Sequence, residues 1–441
     1  MAGRGFHLKD VLTIERGERL PTLLLFLWFL LTIASYYVVR PVRSTLVLFS
    51  LGPEALPWVY MGTALATGLA VWVFARFSRA RRSHLVGGTI VVLLLTLVFW
   101  WWAAGMAVKA RAAGSSAWDW TSPLFYVWVD VFSSLAVTVF WMVANDVFGT
   151  GGAKRTFGVL AAAGPAGGFL GAWLAEVLAR PVGPVDLVLV AAGLFAVVLL
   201  LFLALEKVTG GRSAVRSAEP QERPADLRRL REVVRTVAGN PLLLFIVVVV
   251  FFERAAPDFV DWIFQSVGKD AIDHPTEWTA FFAQFDKWRE VAVLAATFFV
   301  TPALLSLGGP TIAMLTVPVS IVLFAGGFAV WPVFALAVLM KGFEEGQRHA
   351  WFKAGKELTY TVTSRDIIYA VKGYIEVFLY RFARGVAGLI LLFLTALLGF
   401  GPQGVAAAVA PLCLIWVWAI IRLGREFRAE EKRIALSQKS G

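Results

Sequence analysis

The chain has almost no cysteine and little charge for its length. Its one cysteine, Cys413, cannot close an internal disulfide, and no cluster of metal-binding side chains accompanies it in the sequence. The four histidines (His7, His84, His274, His349) stand at no ligand spacing, and there is no H-E-x-x-H, G-x-S-x-G or P-loop motif. The glycine-rich piece Gly164-Pro165-Ala166-Gly167-Gly168 falls inside an apolar run, where small residues serve close helix packing rather than phosphate binding. The expectation is therefore a protein that is not an enzyme and needs no metal or cofactor. Charged residues make up 16% of the chain and apolar ones 59%, with a mean hydropathy of +0.73, which excludes an ordinary soluble domain.

What is present is a series of apolar runs. We place them at about 20–39, 55–75, 86–108, 123–148, 157–179, 184–205, 241–264, 279–305, 310–329, 331–352, 375–398 and 402–422. Each approaches the roughly 20 residues that an α-helix needs to cross a bilayer while satisfying its own backbone. The first run is followed by Arg40-Pro41-Val42-Arg43 instead of a small-residue cleavage site, so it is kept as a helix rather than a signal peptide. Between the sixth and seventh runs lies a polar interval, 206–240, with eight Lys/Arg, five Asp/Glu, Pro220 and Pro224. The expected fold is all-α: twelve transmembrane helices in two six-helix bundles, 1–205 and 241–441, joined by a cytoplasmic linker over 206–240.

The net charge of +11 is distributed as in a membrane protein and does not call for a nucleic-acid partner. Lys and Arg gather in the N-terminal segment, in the loop with Arg76, Arg79, Arg81 and Arg82, in the linker and in the tail. The alternate loops, 114–122 and 399–404, are nearly free of them. Positive charge collects on the cytoplasmic side, so both termini are expected there, with the bilayer itself as a partner; the expected location is a bacterial inner membrane.

Charge within the runs is confined. The first run ends in Arg40 and Arg43, and the fourth carries Asp130, Asn145 and Asp146. The seventh carries Glu253, Arg254, Asp258 and Asp261, and the tenth Glu344, Glu345, Arg348, His349 and Lys353. A charge at bilayer depth costs at least about 2.5–3.5 kcal/mol unless it faces a cavity or a partner. Polar positions on every third helix match the major-facilitator arrangement, in which the first helix of each three-helix unit lines a central path. Arg40 and Arg43 read either as anion-binding forks or as headgroup-facing snorkels. On the fourth run, Asp130, Ser134, Thr138, Trp141 and Asn145 share one face, which suits a substrate path or a polar helix seam. In the seventh, Arg254 and Asp258 are spaced to pair with each other, and Asp261 is kept as a site candidate. Asp286, Lys287, Arg289 and Glu290 in the eighth are expected to be mostly self-paired, and the tenth run from Lys353 onward to be solvated. Lys372, Glu376, Tyr380 and Arg384 share a face where the eleventh begins.

Taken together these stretches resemble the ATP/ADP translocase family of bacterial energy parasites and plastids, a relative of the major facilitator superfamily. The carrying residues are Arg40, Arg43, Ser44, Leu46 and 52–57 (Gly-Pro-Glu-Ala-Leu-Pro); Phe140-Trp141, Ala144-Asn145-Asp146 and Ala153-Lys154-Arg155; Lys372, Ile375-Glu376 and Arg381; and Asp261. Three positions depart from the family pattern. Ser44 stands for an aspartate, Gln265 for a lysine and Val362 for a proline, which leaves less charge to compensate a triphosphate. The resemblance implies a secondary transporter exchanging nucleotides or a related phosphorylated anion by alternating access. It marks Arg40, Arg43, Lys372 and Arg381 as anion contacts, and Asn145, Asp146, Asp261 and Glu376 as further site residues. A proton-coupled symporter of a smaller organic anion, with Asp130, Glu253 or Asp261 carrying the proton, is the competing expectation.

Overall fold

In the computed structural model, residues 15, 17–76, 82–148, 150–210, 227–363, 372–373 and 375–440 are described, and among them the regular structure is entirely helical. Among the described residues, eight helices are long and apolar enough to cross a membrane. Two of these, Arg155–Thr209 and Pro275–Val330, run to 55 and 56 residues, which as straight rods would be more than twice the thickness of a bilayer. Each breaks at a glycine with positive φ, Gly183 at 83° and Gly309 at 63°, a conformation that a β-carbon would disfavour. The two limbs then fold back. Gly164 lies against Phe29 while Phe202, 38 residues on, meets the neighbouring Trp28. Arg289 reaches Glu345 while Phe324 meets Phe343.

Two more segments have crossing length but carry too much charge to be recognised by hydropathy: Pro241–Ala271, and 334–360. Among the described residues the chain thus has twelve crossing segments. We label the helices α1 (Arg19–Leu51), α2 (Leu56–Arg76), α3 (Arg82–Ala112), α4 (Thr121–Val147), α5 (150–182), α6 (184–209), α7 (Leu227–Ala238), α8 (Pro241–Ala271), α9 (275–308), α10 (310–330), α11 (334–360), α12 (375–397) and α13 (Pro402–Ser440). Here α7 is a short helix inside the polar interval 206–240. Turns of π-helix interrupt α9 (Ala296–Val300) and α11 (Arg348–Phe352), and form the start and end of α12 (Ile375–Leu379, Phe393–Leu397).

The expected end of the first helix is corrected. It does not stop at residue 39 but continues through Pro41 to Leu51, so Arg40 and Arg43 are interior residues rather than flanking ones. Hydropathy alone ends the helix at its first arginine; the ion pairs described below let it continue.

The chain divides into two compact units: Met1–Thr45 with Ala70–Glu222 and Thr279–Lys287, and Leu46–Leu69 with Arg223–Trp278 and Trp288–Gly441. The first is packed around Trp28, whose ring meets Phe140 and Phe202 edge-on, and around Phe132 against Phe195. In it α5 closes directly onto the backbone of α1. A β-carbon at Gly171 would stand 2.2 Å from the Ala34 carbonyl oxygen, and one at Gly167 would stand 2.3 Å from that of Leu30. The second is packed around Phe264, Trp278 and Phe334 at one end and Phe352 and Trp416 elsewhere. Its α8 starts cleanly: the Asn240 carboxamide oxygen accepts from the amides of Leu242 and Leu243, and Pro241 takes the first position.

Because the obstacle at Gly171 is backbone, Gly171→Ala is expected to cost about 1–3 kcal/mol through overpacking. Gly193→Ala in α6, where a β-carbon meets nothing within 4 Å, is the control expected to be neutral. Thermal unfolding of the detergent-solubilised protein compares the two.

Candidate functional site

In the first unit Arg43 of α1 is buried and Arg40 is half-buried, and each is held by a carboxylate from another helix. Arg43 pairs with Asp130 of α4, and Arg40 donates to Asp286 of α9 at 2.8 Å. Aromatic rings complete the surroundings. The Arg43 guanidinium lies 4.3 Å from the Tyr126 ring centre and 5.7 Å from that of Tyr36, and Arg40 lies between Tyr37 and Phe282. Cations over ring faces gain from the ring quadrupole, most of all where water is excluded. Beside them Thr45 and Thr279 share a buried hydrogen bond of 2.7 Å. The Nε–H of Arg43 is buried and meets no acceptor, so part of the fork remains to be satisfied.

The pairing of Asp286 corrects the expectation of a self-paired cluster in the eighth run. Asp286 faces Arg40, and Lys287 meets Glu176 of α5. Arg289 bonds its sequence neighbour Glu290 at 2.7 Å and also Glu345. On a helix, adjacent residues point in different directions, so each of these charges meets a different neighbour.

The second unit contains a larger buried network, centred on Lys341 of α11. Its ammonium group bonds Asp261 of α8 and, at 2.9 Å, Glu345 one turn along its own helix. Asp261 also accepts from Tyr60 of α2 at 2.6 Å and from the Gln265 amide. The Tyr60 ring lies under Arg384 of α12, which in turn stands 3.6 Å from Asp258. Further along, Lys356 bonds both oxygens of Glu253 and the Tyr380 hydroxyl, and Arg348 bonds Glu344 at 2.6 Å. Lys356 is only 4% exposed, so the expectation that the tenth run is solvated from Lys353 onward is corrected for this residue. The π turn Arg348–Phe352 inserts an extra residue between the Glu345 and Lys356 levels and shifts the face that α11 presents beyond it.

The structure thus gathers some of the expected site residues and separates others. Arg40 and Arg43 lie together with Asp130, and Asp261 lies in the Lys341 network. Asn145 and Asp146 are elsewhere: they lie on the last turn of α4, about 22 Å along the axis from Asp130 at 1.5 Å per residue. Asn145 is exposed there. Lys372 bonds Glu357 at 2.7 Å beside the Tyr360 ring, at the end of α11. Arg381, one turn before Arg384, runs its side chain over Gly68 of α2. The side chains of Glu376 and Lys154 lie outside the described residues. Near the α4 end, Arg155 bonds Glu18 at 2.6 Å and Glu15 at 2.9 Å. That hydrogen bond from Arg155 holds the Glu18 carboxyl below its usual range. The stabilisation is therefore complete above the unfolded carboxyl's pKa and lost as the pH falls through the lowered one.

No protein-family profile matches the chain, and no curated protein does. Solved structures do. The nucleoside transporter NupG is 13% identical with a TM-score of 0.62, over 93% of this chain and 99% of that one. The POT-family transporter PepTSo is 12% identical at 0.61, over 95% and 99%. An inward-facing bacterial homologue of the iron transporter ferroportin is 14% identical at 0.60, over 96% and 99%. The fold is major-facilitator-like. With its apolar helices, this makes the chain a multi-pass membrane protein. The buried ion pairs on α1, α4, α8 and α11 of this major-facilitator-like fold are the same polar helices that the charge pattern picked out.

Lys341 and Tyr60 were not singled out from sequence. Lys341 had a signal, because a lone cation in the apolar run 334–343 with a glutamate four residues later calls for a partner. Tyr60 had none, since its role comes from the approach of α2 to α8. Removing the cation leaves Asp261 buried without its counter-ion, while Glu345 keeps Arg289, so Lys341→Met is expected to cost about 3–5 kcal/mol. Adding Asp261→Asn is expected to recover most of it. The thermal midpoints of the single and double variants test this, and a neutral single variant would show that the network does not hold the fold.

Proposed function

We propose that the chain is a secondary transporter that exchanges nucleotides or a related phosphorylated anion by alternating access, with both termini in the cytoplasm of a bacterial cell. The observation that carries this reading is the Arg40–Arg43 pair. Two guanidinium groups lie within one crossing helix, ringed by Tyr36, Tyr37, Tyr126 and Phe282, and one of them has an unmet buried donor. Guanidinium forks match phosphate oxygens two at a time, and aromatic faces suit a base. Solved neighbours of this fold include a nucleoside transporter, which accords with a base-bearing substrate.

Asp130 and Asp286 neutralise the arginines while no anion is bound. An arriving phosphate takes over the guanidinium groups and releases the carboxylates, so binding remodels the contacts of α1 with α4 and α9. Arg381 and Lys372 supply further positive charge in this reading, and Asp261 responds through Lys341. Asn145, Asp146 and Glu376 act in orienting or gating.

A second reading, proton-coupled symport of a smaller organic anion, is favoured by one observation. Asp130, Glu253 and Asp261 are all held by cations; Glu344, 1% exposed, is bonded by Arg348 through Oε1 only, and its Oε2 has no hydrogen-bond partner. A carboxyl in that position is suited to carry a proton.

The test is thermal stabilisation of purified protein by ATP, ADP, inorganic phosphate and organic anions, since a ligand at 100 times its Kd adds about 2.7 kcal/mol. A nucleotide-dependent rise is expected. It should disappear in Arg43→Gln/Asp130→Asn, a pair chosen because it removes the cation without stranding the buried carboxylate. A rise with a smaller anion alone, with uptake into proteoliposomes that follows a proton gradient and fails in Glu344→Gln, would replace exchange by symport.

A further inference from the structure

The linker helix α7 has the sequence LRRLREVVRTVA. Apolar residues fall at 227, 230, 233, 234, 237 and 238, which share one side of a helix, while arginines fall at 228, 229, 231 and 235. With Glu232 as the one acidic residue, the helix carries a formal charge of +3, four cations less one anion. On this stripe Val234 is 59% exposed, and Val237, one turn on, is half-buried. A soluble loop with this pattern would bury the stripe against the body of the molecule.

Its position gives a reason why it does not. Only Gly239 and Asn240 separate α7 from Pro241, the first residue of the membrane-crossing α8. Two residues span at most about 7 Å, so the C-terminal end of α7 is tied to the level at which α8 enters the membrane. At that level a bilayer offers both things that α7 presents a match for: acyl chains for the stripe and headgroup charge for the arginines.

We infer that α7 lies along the membrane surface and docks on anionic lipid headgroups, its valine and leucine stripe facing the acyl chains. The docking rests on the chain being a membrane protein and is independent of what it carries. It ties α7 to the lipid composition of one leaflet: a leaflet rich in acidic lipid holds the helix down, and a neutral one releases it.

The full chain offers a direct test, because its single cysteine is buried and dispensable for labelling. In a Cys413→Ala background, a nitroxide is attached at Val234→Cys or at Arg235→Cys, and the protein is placed in nanodiscs of phosphatidylcholine with or without phosphatidylglycerol. Collision with oxygen, which concentrates in acyl chains, is compared with collision with a water-soluble nickel chelate. The label at 234 is expected to be oxygen-accessible and nickel-shielded in the acidic nanodiscs, and the label at 235 the reverse. Replacing Arg228, Arg229, Arg231 and Arg235 by Gln should return the label at 234 to nickel contact. An unchanged thermal midpoint in the labelled proteins checks that the fold survives. Nickel contact at 234 in both lipids would overturn the proposal. Shielding of 234 from both reagents would overturn it in favour of a protein contact. Lipid immersion that ignores both lipid charge and the arginines would overturn the acidic-lipid preference.

Discussion

The constraint on which this structure depends is that a charge within a bilayer must have a partner of opposite sign. Lys341 meets it twice, bonding Asp261 across to α8 and Glu345 on its own helix. Arg43 and Arg40 meet it with carboxylates from α4 and α9. Each pair costs desolvation on both sides and repays it only when its geometry is good, so such pairs say more about which helices must be neighbours than about net stability. The polar contacts therefore act as address labels. They specify that α8 meets α11 and α12 in one unit, and that α1 meets α4 in the other.

The same constraint connects the fold to its use. A guanidinium that is fully satisfied by its own carboxylate has no reason to admit a ligand. Arg43 keeps a buried donor without an acceptor, and its surroundings are aromatic rather than aliphatic. In the proposed reading, an anion arriving there would compete with Asp130 for the cation and change which helix holds α1.

Much of the fold was legible beforehand. The twelve apolar runs mark the crossing segments, because backbone hydrogen bonding in lipid leaves a helix as the only single-segment solution. Turns at Gly183 and Gly309 were also within reach, since the runs on either side are too long together for one bilayer. The site was legible in part. Arg40, Arg43, Asp130 and Asp261 stood out as charges in apolar runs, and they lie in buried networks. Asn145 shares the α4 face pattern, yet it lies near the end of that helix, with Asp146 next to it. A helical stripe records direction around the axis and not depth along it.

What the sequence determined by itself is the class of structure: all-helical, multi-pass, with polar residues restricted to particular helices. Those properties follow from local hydropathy and local charge, which each segment carries wherever it packs. Only the tertiary structure decided the partners. That Asp286 serves Arg40, that Lys356 is buried on Glu253 instead of solvated, and that Tyr60 reaches Asp261 are contacts between residues 103 to 246 positions apart. Pair identity over such separations depends on helix approach, which no single segment encodes.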